Sequence, residues 1–285
     1  MTASRAFQSD IGADSGDFPG RAATRMRLTQ SHDLPDRDGR NRKIGHSGII
    51  VTPPAIIHRL MGGPLIGFIQ AIGAGNWDLA TINLGVAVVV LLICFPMHEL
   101  AHAVTADRLG DDTPRMMGRL TLNPAAHLSL TGSVLFLLVG FGWATTPINP
   151  SRLRGNQHVS HAIVAVAGPV ANLLIAVVIG LGVRGLVASG LVSTPNPATQ
   201  IFVQTAILAV LINLQLCLLN LLPIPPLDGW TILKGLLPAS MHGALAVVER
   251  FQMMIFLLLF VAGSSLLGSV IFQPATNLAR LIMGL

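Results

Sequence analysis

Leu79-Ala-Thr-Ile-Asn-Leu-Gly-Val-Ala-Val-Val-Val-Leu-Leu-Ile-Cys-Phe-Pro-Met97 carries no charged residue and leads straight into His98-Glu99-Leu100-Ala101-His102. A helix that crosses a bilayer needs about 20 mainly apolar residues, so the run reads as a membrane span. With a helix start at Leu79, the motif lies about 29 Å along the axis, and Gly110 supplies a C-terminal stop. H-E-x-x-H on a helix sets its two histidines about 40° apart on one face, close enough to share one metal ion. Composition alone produces such a pattern in roughly one chain in a hundred of this length, so its position carries the weight. A charged residue inside a membrane helix costs on the order of 2.5–3.5 kcal/mol. A satisfied polar patch between helices is the structural alternative, but it gives no reason for bearing that cost.

The rest of the chain fits a membrane setting. Its 285 residues are 52% hydrophobic and only 11% charged, with a mean hydropathy of +0.66, which excludes an ordinary soluble domain. The charges are concentrated: residues 1–48 hold 14 of the 31 Asp, Glu, Lys and Arg. That segment buries too little apolar surface to offset its conformational entropy. Residues 1–53 are therefore expected to form a disordered polar tail, and 54–285 a multi-pass membrane domain. Six aspartates in the tail argue against a transit peptide, and no early apolar segment marks a cleavable signal. The net charge of +5 does not imply nucleic acid, because the body's arginines sit beside apolar spans, where they orient helices. Cys94 and Cys217 lie in apolar runs without CxxC spacing and read as core residues.

Spans are expected at about 80–109, 159–184, 200–222 and 251–272. Residues 55–75 are a weaker candidate, since Gly62, Gly63 and Pro64 interrupt them, and 131–145 are apolar but too short for an ordinary crossing. No repeat and no inserted soluble module is visible.

A hydrolytic zinc takes three protein ligands and keeps a fourth position open. The metzincin continuation is excluded, because Thr105 and Arg108 stand where a glycine and a third histidine are needed. Beyond the motif helix the carboxylates are Asp111, Asp112, Asp228 and Glu249. The first two follow too closely to fold back. Asp228 closes Asn220-Leu-Leu-Pro-Ile-Pro-Pro-Leu-Asp228-Gly229, where three prolines end a helix and the glycine permits a tight turn. Asp228 is the expected third ligand, although Asp-Gly also marks ordinary turns. His127, His158, His161 and His242 are expected to be interfacial or structural.

These residues resemble the site-2 protease family of intramembrane metalloproteases over roughly 80–272. The resemblance rests on His98 to His102, on Gly118-Arg119-Leu-Thr-Leu-Asn123-Pro124 followed by His127, on Gly168-Pro-Val-Ala-Asn172, and on Asn220 to Gly229. It implies an all-α polytopic membrane protein with a three-helix catalytic core, one zinc ion per chain, and cleavage of membrane-embedded protein substrates. The likeness is to small members without a peptide-binding insert domain. Leu128-Ser-Leu-Thr-Gly132 replaces an Asp-Pro pair common in relatives, and Trp230 is a bulky residue beside the ligand turn.

Glu99, between two ligands, is expected to be the general base. Asn172, in a Gly-Pro-interrupted helix, is a candidate for binding the substrate backbone or the oxyanion, or for joining helices. A substrate helix hides its carbonyls in its own hydrogen bonds, so locally unwound segments are the expected targets. The ligands meet only if the helices ending near 109 and 222 run in the same direction. The chain then makes no net crossing between 110 and 158, and 131–145 must be re-entrant or interfacial. Arg115, Arg119, Arg152 and Arg154 share one side, which the positive-inside rule makes cytoplasmic; a bacterial plasma membrane is the expected location. The competing reading is a zinc-binding transporter or scaffold, which needs the histidines but not Glu99.

Overall fold

The computed structural model describes residues 63–140, 142, 144–191, 196–262 and 267–285. The tail expected at 1–53 and the start of the 55–75 stretch lie outside these residues. Nine helices are labelled in chain order among them: α1 (Pro64–Gly73), α2 (Trp77–Arg108), α3 (Leu130–Val139), α4 (Gln157–Ala188), α5 (Pro197–Asn220), α6 (Asp228–Leu236), α7 (His242–Arg250), α8 (Gln252–Ala262) and α9 (Gln273–Met283).

Three of these, α2, α4 and α5, are long and apolar enough to cross a membrane. Each begins at an asparagine whose side-chain oxygen accepts backbone N–H groups of the first turn: Asn76 from Leu79, Asn156 from His158 and Val159, and Asn196 from Ala198. Pro197 adds a residue suited to the first turn of α5. Within α2 the backbone opens into a π-turn at Val90–Cys94, two residues before Pro96, which has no N–H to give. The same device recurs at Gly268–Phe272 before Pro274.

The polarity of the bundle is inverted relative to a soluble protein. Val178 is 70% exposed and Leu174 59%, whereas His98, Glu99, His102, Asn172 and Asn213 are buried. That distribution suits hydrocarbon outside and a functional interior. The core joins Ala176 and Val183 of α4, Val203, Val210 and Leu214 of α5, and Ala275, Ala279 and Met283 of α9.

Contacts along the helices fix their directions. Gly85 approaches Thr205, and Cys94 accepts a 3.0 Å hydrogen bond from Asn213, so α2 and α5 run in parallel. Arg154 N donates to Leu109 O at 2.8 Å, joining the start of α4 to the end of α2, and α4 runs back antiparallel. The segment between them leaves and returns on one side. Its helix α3 starts at Ser129, whose hydroxyl caps Gly132, and ends at Gly140 with φ +84°. The chain then doubles back, and Ala144 pairs with Leu128 in an antiparallel bridge. Gly142 passes so close to the Gly132 carbonyl and Phe136 that no larger residue fits. The described part of 131–145 therefore starts and ends on one side, the re-entrant or interfacial arrangement that the ligand directions require.

Two apolar stretches differ from simple spans. The described part of 55–75 is only the ten-residue α1, which packs against α2 and α3. Of the span expected at 251–272, residues 251–262 and 267–272 are described; its first helix, α8, meets α7 at a 67° bend around Phe251.

Candidate metal centre

The motif faces the bundle interior because α2 is packed on that side by α4. Gly168 makes the approach possible: a Cβ there would press into the His102 ring and lie 2.6 Å from His98 Cε1. Pro169, next to it, is buried inside α4. Asp228 arrives from a different direction, at the first position of α6. The turn before it needs Gly229, since a Cβ at that position would run into the carbonyl oxygens of Leu221 and Leu222.

Three atoms converge. His98 Nε2 and His102 Nε2 are 3.0 Å apart, and Asp228 Oδ2 lies 3.3 Å from the first and 3.4 Å from the second. Ligands about 2.0–2.1 Å from a tetrahedral zinc are separated by about 3.3 Å along the edges of the tetrahedron. The observed triangle matches that spacing. No other set of three His, Cys, Asp or Glu among the described residues has this closeness.

The outer hydrogen bond of His102 fixes the tautomer that a metal needs. His102 Nδ1 lies 2.8 Å from Val164 O. A carbonyl only accepts, so Nδ1 carries the proton and Nε2 of the neutral ring presents a lone pair. The Asn172 NH2 group lies 3.1 Å from His98 Nδ1, while its Oδ1 is buried and without a donor. A half-turn of that amide exchanges two groups of nearly equal shape and sets Oδ1 opposite an Nδ1–H. In that arrangement His98 would also present Nε2, and the Asn172 NH2 would be free to donate. Asp228 Oδ2 is buried with no hydrogen-bond donor. Two imidazole Nε2 atoms and an orphaned carboxylate oxygen facing one point are the residue types of a zinc site.

Glu99 is buried beside this set and points toward the segment that returns from α3. Its Oε2 accepts a 2.7 Å hydrogen bond from the Thr146 hydroxyl. Thr146 was not legible in the sequence, because a lone threonine 47 residues from its partner follows no motif. Asp111 also has an unanticipated place. It is fully buried, and its two oxygens accept the backbone N–H groups of Thr113 at 3.0 Å and Asn149 at 2.6 Å.

The other histidines lie outside the triangle. His127 is buried, with Nε2 2.8 Å from Thr121 O, and helps close the loop after the motif helix. His158 and His242 stack edge to face with centroids 4.3 Å apart. Trp230 has a partner as well: its indole N–H donates to Glu249 Oε1 at 2.8 Å, beside the Lys234 ammonium at 2.7 Å.

Comparison with known proteins agrees with this geometry. The model for peptidase family M50 matches residues 183–262, which include Asp228. The Bacillus subtilis protein named "Putative zinc metalloprotease YwhC" is 39% identical over 204 residues, 68% of this chain and 86% of that protein. The Mycobacterium tuberculosis protein named "Putative zinc metalloprotease Rip2" is 32% identical over 222 residues, 74% of this chain and 82% of its own length. No solved structure matches. The motif helix, the aspartate turn and the extent of these likenesses lead to one assignment: the chain belongs to peptidase family M50, the site-2 protease family of intramembrane zinc metalloproteases.

Proposed function

We propose that His98, His102 and Asp228 hold one zinc ion per chain and that Glu99 is the general base for hydrolysis of peptide bonds in membrane-embedded proteins. The observation that carries this reading is the 3.0–3.4 Å triangle of Nε2, Nε2 and Oδ2 with a buried glutamate at its side. When bound, zinc supplies a Lewis acid that polarises the scissile carbonyl and acidifies the attacking water. Glu99 accepts the water proton as the oxygen adds to the carbonyl carbon, and delivers it to the leaving nitrogen as the C–N bond breaks. Asn172 orients His98 through its amide, 3.1 Å from Nδ1; with that amide turned over, its NH2 would be the donor for the substrate backbone or the developing oxyanion.

The substrate class follows from the setting. A site enclosed by spanning helices receives chain that is already in the bilayer, and only an unwound segment offers a carbonyl to attack. The arginines at the α2 end of the bundle favour a site opening toward the cytoplasmic side of a bacterial plasma membrane. A zinc transporter or scaffold would use the same ligands, but it has no need of a buried carboxylate between them.

The test compares two variants in one assay of a co-expressed single-pass protein whose transmembrane segment contains a Gly-Pro break. Glu99→Gln keeps three ligands but cannot take a proton. It is expected to retain zinc and lose about 10²–10⁴-fold in rate. Asp228→Ala leaves two ligands and is expected to lose zinc and cleavage together. Full activity of Glu99→Gln would remove the base, and unchanged zinc in Asp228→Ala would remove the third ligand.

A further inference from the structure

The stretch from Ala144 to Asn149 returns from α3 directly across the motif. It is pinned at three points. Ala144 is bridged to Leu128, Thr145 O accepts a 3.2 Å hydrogen bond from Arg119, and Asn149 N donates to the buried Asp111 carboxylate at 2.6 Å. Between the pins stands Thr146, whose hydroxyl lies 2.7 Å from Glu99 Oε2 and 3.0 Å from Glu99 O. A hydroxyl has one proton to donate. The shorter separation and the stronger acceptor both favour the carboxylate. No hydrogen bond from a described residue reaches the other carboxylate oxygen, Oε1.

We propose that Thr146 is a positioning residue for Glu99: carried on a strap fixed by Asp111 and Arg119, its hydroxyl anchors Oε2 and leaves Oε1 free for the reacting water. The inference rests on the reading of Glu99 as the base. A buried glutamate has three side-chain torsions, and a base must be held within hydrogen-bond reach of its proton. The helix backbone fixes only where the side chain begins. Thr146 fixes where it ends, and Asp111 acts at one remove by holding the strap.

A purely structural role predicts something different. If the hydroxyl served only the Glu99 carbonyl, its loss would lower stability and disturb the whole motif, zinc included. The experiment uses the full zinc-loaded chain in detergent and the single-pass substrate with the Gly-Pro break. Thr146→Val preserves shape and removes the donor; it is expected to lower kcat about 10–100-fold with KM and zinc content unchanged. Thr146→Ser restores a hydroxyl and is expected to recover most of the rate. A Thr146→Val protein with undiminished kcat, with only a raised KM, or with zinc lost in step with activity would overturn the proposal, as would failure of serine to rescue. Glu99→Gln is run alongside. If it still cleaves, the base assignment falls and this inference with it; if it is inactive while Thr146→Val is fully active, only the role of Thr146 falls.

Discussion

At the residue scale, the site depends as much on what is missing as on what is present. The proposed ligands were legible because chemistry dictates their types and a helix dictates the i, i+4 spacing; Asp228 was a candidate because few carboxylates remain beyond the motif. Gly168 stood in a quoted motif, but its purpose became visible only when α4 lay against the imidazoles. A methyl group there has no space, whereas one at Gly182, on the same helix, meets nothing within 4 Å. Gly168→Ala is therefore expected to weaken zinc binding by about 5- to 100-fold, the equivalent of roughly 1–3 kcal/mol of overpacking. Gly182→Ala should bind zinc normally. Zinc titration of the two purified variants against the unchanged protein checks this, and equal affinities would mean that α4 does not press on the ligands.

At the element scale, the sequence revealed the lengths of the helices better than their company. The three long spans were legible from apolar length, whereas their asparagine caps appear only in the structure; that 131–145 is re-entrant or interfacial, not a crossing, was expected from the directions that the ligands impose. The bend at Phe251 coincides with the start of the apolar stretch expected at 251–272, but the polar contact beside it was not legible. Trp230, a departure from the family pattern, packs into the interior and gives its N–H to Glu249, which also holds Lys234. These bonds tie α7 to α6, the helix that begins with Asp228. Lys234 and Glu249 are each about one-third exposed, so solvent screens the ion pair and its worth is modest, on the order of 1 kcal/mol or less. The indole bond adds a comparable amount. Glu249→Ala is expected to lower the unfolding temperature by a few degrees, and Glu249→Gln, which keeps an acceptor for Trp230, by less. Thermal unfolding of both in the same detergent decides it; equal effects would assign the stabilisation to charge alone.

At the scale of the whole molecule, the arrangement of ligands and the sidedness of the chain are one problem. His98 and His102 lie near the end of α2, and Asp228 follows the end of α5, so the site forms only if those two ends reach the same depth. The parallel registers Gly85 with Thr205 and Cys94 with Asn213 supply that condition. The Leu128 and Ala144 bridge and the Arg154 to Leu109 hydrogen bond return the chain to its starting side before α4 begins. Met116 precedes the re-entrant helix and Ser151 follows it, whereas Ala188 lies at the far end of α4. All three side chains are exposed, and the native Cys94 and Cys217 are buried. Single cysteines at Met116 and Ser151 are therefore expected to react with a membrane-impermeant maleimide from the same face of sealed vesicles, and one at Ala188 from the opposite face. The arginine-rich face carrying Met116 should be the cytoplasmic one. Labelling of Met116→Cys and Ser151→Cys from opposite faces would turn α3 into a crossing segment. It would also separate the ends of α2 and α5 by the thickness of the bilayer, about 30 Å, a distance that no movement of the Asp228 turn can close.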